Sequence, residues 1–555
     1  MKLEALRFFR HFGRMRQIAT VLINYGFADL VDRLGLGQYL QWGRRLLFRR
    51  REPLPPVTRA ARVRMVFEEL GATFIKFGQV LSTRPDLLPE DVIAELAKLQ
   101  EHVAPFSAEL ARREIEQQLG APIDQLFSEF GEEPVASASL AQVHKARLRD
   151  GTPVAVKVRR PAVVREIESD LVILFHLATL LERHVEEAEV FDPVGLVGYF
   201  ARTIRRELNF NREARTIDEF RRLFRNDATL HVPAVHWDYT TEAVLTLEWV
   251  EGCRVDDLER LDRWGIDRRQ LAARGARLYM RQAFEIGLFH GDPHPGNIRI
   301  LRDGRICLLD YGMVGVLDEQ VRDDLVDLLV AVSRQDAAEM VERVLRLGNP
   351  VGPVDRVLLK MDARDFVNTY YGFELRRIDM RALLNDFIGI LRSHRIRLPG
   401  DLMLLIRALI TLEGIGRRLD PGFNLVEHVT PFIEDVLRER YNWENVRKRV
   451  VREAGTLLAA LRDIPVQSAG ILHKLGRDDF RIQLEHRRLD RFIDELDRSS
   501  NRIVVGMIIS ALIVASALLI RSFQIDSSWL MLGSFGLSSV LGVWLVISIL
   551  RRGGL

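Results

Sequence analysis

Apolar residues recur at helical spacing from the start of the chain. Leu3, Leu6, Phe9 and Phe12 share one side, with Arg7, Arg10 and Arg14 on another, so residues 1–50 read as helix. Such a helix lies either on a membrane surface or against its own domain. Pro53-Leu54-Pro55-Pro56 breaks the pattern and marks a boundary. A second helical pattern runs over residues 58–130. The period then changes. Residues 134–160 read PVASASLAQVHKARLRDGTPVAVKVRR, and Val154, Val156 and Val158 alternate after the Asp150-Gly151 turn. That predicts a β-hairpin. Helical segments follow, then TEAVLTLEWVEG (241–252), a short apolar strand ending at a Glu-Gly turn. Helices dominate from residue 260, with an interruption at 290–315, and residues 430–500 are charged and helical.

The end of the chain differs in kind. Ile503–Ile520 and Ser528–Leu550 carry no charge over 18 and 23 residues. At about 1.5 Å per residue each is long enough to cross a hydrocarbon core of about 30 Å, the first barely. Two adjacent uncharged runs favour a transmembrane helical hairpin over a buried hairpin of a soluble domain. Arg487, Arg488, Arg491, Arg498 and Arg502 precede it, Arg551 and Arg552 follow it, and Arg521 lies in the turn. The positive-inside rule puts both ends on the cytoplasmic side. Ser534, Ser538 and Gly542 fall at a spacing that lets helices approach closely.

Composition narrows the classes. Lys and Arg number 80 against 77 Asp and Glu, a net charge of +3 spread over 555 residues. A nucleic-acid binder would concentrate basic charge, so no nucleic-acid partner is expected. Cys253 and Cys307 have no metal-ligand spacing and read as reduced thiols. The first thirty residues hold no clean apolar signal segment.

The segment HGDPHPGN (290–297) separates Asp292 from Asn297 as D-x4-N, and thirteen residues later Asp310 stands in LLDYG. Phosphoryl transfer needs an anionic group near the accepting oxygen, which Asp292 supplies. It also needs hard oxygen ligands for Mg²⁺, which Asn297 and Asp310 supply. Lys157 in VAVKV follows the small-residue segment PVASAS (134–139), as a phosphate-pairing Lys follows a phosphate-covering turn. Glu213 is the best carboxylate to hold that Lys, with Glu207 the runner-up from spacing alone. The segment TLEWVEG fits a hinge between two lobes, where backbone groups at Glu248 and Val250 would meet an adenine edge.

These residues resemble the UbiB family of atypical kinases, which includes the mitochondrial ADCK-type proteins, over residues 60–420. Lys76-Phe77-Gly78-Gln79 resembles the family's KxGQ signature. Val135 and Ala136-Ser137-Ala138-Ser139, leading into Gln142-Val143-His144, resemble the Ala-rich loop that replaces a Gly-rich one. The resemblance implies that helices bearing Lys76, Gly78 and Gln79 fold over the site, gated with Glu207. It also implies that Glu213 partners Lys157. The family's ExD element reads Glu207-Leu208-Asn209 here, which leaves Lys76 one carboxylate fewer, and the metal motif reads Asp310-Tyr311-Gly312.

The expected fold is α+β, a two-lobed protein-kinase-like fold with a helical N-terminal extension and a C-terminal transmembrane hairpin. Its expected parts are an N-terminal segment (1–57), a KxGQ extension (58–130), an N-lobe with inserted helices (131–250) and a helical C-lobe (251–440). A charged linker (441–502) and the membrane helices (503–550) complete it. The resemblance implies ATP and Mg²⁺ as cofactors and a role in ubiquinone biosynthesis, with membrane lipid, quinone precursors and other quinone-biosynthesis enzymes as partners. The expected location is the bacterial inner membrane. An ATPase is the first reading. The alternatives are a kinase acting on a protein or small molecule, and a nucleotide-binding scaffold.

Overall fold

A computed structural model describes residues 2–39, 57–82, 88, 90–99, 104–184, 192–370 and 379–440, with isolated positions between 503 and 540. The chain divides into two units, Met1–Asn445 and Val446–Leu555. The membrane-hairpin expectation falls on the second, which lies almost wholly outside the described residues. Among the described residues no helix is long and apolar enough to cross a membrane.

The first unit opens with helices α1 (Lys2–Asn24), α2 (Ala28–Arg33), α3 (Arg59–Leu70), α4 (Ala72–Ser82), α5 (Glu90–Leu96), α6 (Ala108–Leu119) and the single turn α7 (Ile123–Leu126). Of the two readings for the first helix, docking holds for its second half. Met15, Ile18 and Ala19 are buried in one apolar cluster with Ile167 and Leu171. Arg14 fastens them: its Nε donates to Asp170 Oδ1 at 2.9 Å and its Nη2 to the Leu70 carbonyl at 2.7 Å.

Next come β1 (Phe127–Phe130), β2 (Ala136–Ser137), β3 (Ala141–Leu148), β4 (Pro153–Arg159), helices α8 (Val163–His184), α9 (Pro193–Glu207) and α10 (Phe210–Leu223), then β5 (Leu230–His231) and β6 (Val244–Glu248). The order β1-β3-β4-β6, with β2 beside β3, makes an antiparallel sheet. The predicted hairpin is β3–β4, and Gly151 supplies the positive φ of its turn. Strand β1 corrects the expectation of helix through residue 130. Helix α7 stops after one turn because Phe127 is buried opposite Leu148, and four residues are too few to show a two-residue period.

The remainder comprises β7 (Cys253–Arg254), α11 (Leu258–Arg263), α12 (Arg268–Met280), β8 (Leu288–His290), β9 (Ile298–Ile300), β10 (Ile306–Leu308), β11 (Val314–Val316), α13 (Glu319–Ser333), α14 (Ala337–Leu347), β12 (Asn349–Pro350), α15 (Arg356–Tyr370), α16 (Met380–Ser393), β13 (Ile396–Arg397), α17 (Gly400–Leu419) and α18 (Leu425–Arg440). A second sheet has the order β5-β10-β9-β7. Its edge corrects the expected lobe boundary at residue 250. Leu230 and His231, placed by sequence in the first lobe, pair in parallel with Ile306 and Cys307 of the second. The largest apolar cluster lies here, and Phe210, Ile217 and Phe220 of α10 belong to it. Helix α10 therefore shares one core with the strands that carry the HGD and DYG segments.

Candidate active site

Strand periodicity aims the first site residue. On β4, Val154, Val156 and Val158 are fully buried in an apolar cluster, and alternation turns Lys157 to the opposite face. Helix α10 aims the second. Phe210, Ala214, Ile217 and Phe220 mark its buried face, and Glu213 lies on that same face. A carboxylate there needs a partner. Lys157 Nζ donates to Glu213 Oε1 at 3.0 Å and Oε2 at 2.9 Å, and lies 3.8 Å from Asp310 Oδ1. Asp310 follows β10, so three separate parts of the chain meet at one ammonium.

The charges shape one another. Burial pushes the Glu213 carboxyl up, to about 7, against the pull of Lys157. Burial also works against ionisation of Asp310, but the Lys157 ammonium and the Gly312 amide (2.8 Å to Oδ1) outweigh it, and its carboxyl stays well below the usual range. Burial disfavours the Lys157 charge, yet Asp310 and Glu213 hold its pKa above the ordinary value. The Asp310 side chain is 47% exposed.

The turn between β8 and β9 carries Asp292 and Asn297. Its base is fixed from below. The His290 amide donates to Gln282 Oε1 at 3.0 Å, and Tyr279 donates its hydroxyl to the His290 carbonyl at 2.9 Å. His290 Nδ1 accepts from the Asp292 amide at 3.3 Å while its Nε2 meets the Asp310 carbonyl. One buried ring thus ties the two acidic segments, and burial keeps its pKa below the usual value. Gln282 lies on a π-helical turn, Arg281–Ile286, which continues α12. Asn297 donates its Nδ2 to the Asp292 carbonyl at 3.3 Å, which leaves its Oδ1 as an oxygen donor.

The small-residue segment Ala136–Ser139 comprises β2 and the start of its turn into β3. Arg160 clasps it. Its Nε donates to the Ala138 carbonyl at 3.0 Å and its Nη2 to Ser137 Oγ at 2.9 Å. The Val135 amide donates to the Val143 carbonyl at 2.8 Å, and the Val135 side chain is exposed. Ser139 is buried, and its Oγ has no hydrogen-bond partner.

Gln142 is a correction to its expected ligand role. Its side chain is fully buried. Nε2 donates to the Phe106 carbonyl at 3.3 Å, Oε1 accepts from the Phe106 amide at 3.1 Å, and His144 Nε2 is 2.7 Å away. It ties the extension to the sheet. At the hinge, Glu248 closes β6, with its amide donating to the Ala234 carbonyl at 2.9 Å and its carboxylate accepting from His231 and the Ala234 amide at 3.1 Å each. Its N–H is therefore committed to protein. Val250 lies two residues beyond β6 and is half-buried.

The extension reaches the same cluster. Lys76 on α4 lies 3.0 Å from Glu207 Oε2, and its charge contributes to the low pKa of Asp310. Gly78 packs α4 within the extension, where a Cβ would sit 2.4 Å from Leu99 Cδ1 and 2.6 Å from Phe67 Cδ2. Gln79 points elsewhere, donating to the Leu99 carbonyl at 3.1 Å. Asn209 caps α10, its Oδ1 accepting from the Asn211 amide at 3.1 Å. A residue in that capping position serves the helix that presents Glu213.

Sequence reasoning missed Arg160, Gln282 and Arg407. Arg160 looks no different from Arg159 beside it, and Gln282 sits in an ordinary-looking helix. Arg407 on α17 lies 3.9 Å from Asp292 Oδ1, far from it along the chain. Only Gly291, at the position before Asp292, hinted that another element comes close.

Residues 98–344 match the ABC1 atypical kinase-like domain, residues 363–424 the UbiB helical domain, and residues 487–551 the ABC1/UbiB kinase-like C-terminal domain. The chain is 33% identical over 517 residues to "Probable protein kinase UbiB" of Xanthomonas campestris pv. campestris, covering 91% of this chain and 93% of that one. It is 39% identical over 454 residues to "Probable protein kinase UbiB" of Pseudomonas aeruginosa, covering 79% and 83%. It is also 30% identical, over 98% of its length and 99% of the relative, to an uncharacterized protein from the hydrogenase 1 5′ region of Clostridium pasteurianum.

The geometry predicts strong energetic coupling between Lys157 and Glu213. In a denaturant-unfolding double-mutant cycle with Lys157→Met and Glu213→Gln, the coupling should be about 1–3 kcal/mol, the range for residues in one buried network. Additive effects would contradict the pairing.

Proposed function

Because the chain belongs to the ABC1/UbiB family of atypical kinase-like proteins, we propose that it is a membrane-anchored ATP-hydrolysing enzyme that supports ubiquinone biosynthesis. The observation that carries this reading is the junction of Lys157, Glu213 and Asp310 beside the Asp292 turn. A dead nucleotide scaffold has no need of all four residues. In this reading Lys157 meets the ATP phosphates, the Ala136–Ser139 loop covers them, and the unpartnered Ser139 Oγ gains a phosphate oxygen. The Glu248 carbonyl and the Val250 backbone meet the adenine edge. Asp292 orients the attacking water and receives its proton.

Mg²⁺ fits the donors present. Asp310 and Asn297 offer two hard oxygens, and no group of three or more His, Cys, Asp or Glu suited to a metal occurs among the described residues. Mg²⁺ is commonly held this way, by one or two carboxylates with phosphate oxygens and water completing its octahedron. When bound it neutralises charge on the phosphates.

Two further observations support this reading. The Lys76–Glu207 pair brings the extension to the charge cluster, where it restricts access by a large peptide. That favours hydrolysis over protein phosphorylation. The uncharged runs 503–520 and 528–550 favour a bilayer anchor with the soluble body on the cytoplasmic side of a bacterial inner membrane. Quinone precursors with long apolar tails reside in the bilayer, so an anchored enzyme meets them there, alongside other quinone-biosynthesis enzymes. The name UbiB carried by relatives supports that pathway.

Full-length protein in liposomes should hydrolyse ATP with Mg²⁺, faster when a polyprenylated phenol is added. Asp310→Asn should lower the rate about 100-fold or more, as loss of a key charge-stabilising group does. ATP binding without hydrolysis in either protein would instead favour a kinase with its own acceptor or a scaffold. For the anchor, the full chain should stay with membranes through a carbonate wash and a chain ending at Arg502 should not. Release of both would rule out the anchor.

A further inference from the structure

The Asp292 turn departs from the kinase pattern His-Arg-Asp. Here it reads His290-Gly291-Asp292, so the turn carries no Arg of its own. The missing side chain has a structural consequence. A Cβ built on Gly291 would lie 2.4 Å from Leu404 Cδ2 and 2.7 Å from Leu404 Cγ. Leu404 of α17 therefore fills the space that any larger residue at position 291 would need.

Three residues further along the same face of α17 stands Arg407. Its Nη2 is 3.9 Å from Asp292 Oδ1, while His294 Nε2 lies 3.9 Å from Asp292 Oδ2. Neither distance is a hydrogen bond. The Arg407 side chain is 36% exposed and faces the Asp292 side chain, which is 26% exposed. The guanidinium has five donors in a planar fork suited to phosphate oxygens. Helix α17 is held firmly behind it. Buried Glu413 accepts from Arg417 Nε at 2.7 Å and from the Leu425 amide at 2.9 Å, and Gly416 lies against the Phe423 ring. A rigid helix thus presents a cation, loosely paired, at the acidic residue of the transfer site.

We propose that Arg407 is a catalytic residue that contacts the γ-phosphoryl group of bound ATP, a charge delivered to the kinase-like domain by the helical domain that follows it. The inference rests on the ATP-hydrolysing reading above and adds to it the residue that senses the γ-phosphate. In the step concerned, a water oxygen bonds to the γ-phosphorus as the bond from that phosphorus to the β–γ bridging oxygen breaks. Asp292 takes the proton of the water and passes it to solvent. ADP and inorganic phosphate leave. Arg407 stabilises negative charge on the non-bridging γ-oxygens as the group transfers, the office performed elsewhere by an arginine supplied in cis or in trans. Gly291 and Leu404 set the approach that makes this reach available.

The test uses full-length Arg407→Ala and Arg407→Lys beside the wild type, with MgATP and MgADP affinities and the hydrolysis rate measured for each. Arg407→Ala should lower kcat about 100- to 1,000-fold, the usual effect of removing one transition-state donor. It should leave MgADP affinity unchanged and reduce the preference for MgATP over MgADP. Arg407→Lys should recover part of both losses, because it keeps the charge and loses the fork. A merely structural role would weaken both nucleotides alike, and that pattern overturns the proposal. So does an unchanged kcat with an unchanged ATP-to-ADP preference. Should the wild type bind ATP and fail to hydrolyse it, the hydrolytic reading falls alone, and the ATP-to-ADP preference still decides the role of Arg407. If Arg407→Ala fails to fold, Arg407→Lys decides by the same two readouts.

Discussion

The arrangement depends on one ammonium held by two carboxylates. Lys157 comes from the β3–β4 hairpin, Glu213 from a helix that shares the core of the second sheet, and Asp310 from the end of β10. Leaving Glu213 on an apolar helix face without Lys157 would strand a buried carboxylate, which is among the costlier defects a fold can carry. Satisfying it fixes the hairpin, the helix and the DYG segment in mutual register. The cluster is thereby a structural joint that leaves the Asp310 side chain half-exposed.

A second layer keeps that joint aligned. His290 links the Asp292 amide to the Asp310 carbonyl, and Gln282 and Tyr279 hold the backbone of His290 on both sides. The helical extension adds the Lys76–Glu207 pair. On the far side α17 closes on Gly291. Lys76 thus acts on Asp310 from the extension, and Arg407 stands 3.9 Å from Asp292 on α17.

Legibility in the sequence followed locality. Lys157 was readable because strand alternation leaves one face for it, and Asp292, Asn297 and Asp310 because their spacing is set by a short turn and hairpin. Glu213 was readable as an acid on a helix between them. What escaped depends on contacts distant in sequence. Arg407 reaches Asp292 from another domain, and β5 is two residues long and exists only because β10 is there to pair with it. Polar side chains posed a different difficulty. Gln142 resembles a nucleotide contact and Gln79 a gating residue by position, yet each answers a backbone group of the extension, Phe106 and Leu99 respectively. Asn209 resembled a lost charge and is a helix cap.

The central claim is that this cluster forms a nucleotide–metal site. The most direct measurement is ATP affinity of the full-length protein by titration calorimetry, with Mg²⁺ and with EDTA, in the wild type and Asp310→Asn. Mg²⁺ should strengthen binding in the wild type and not in the variant. No binding, or binding with the same metal dependence in both, would contradict it.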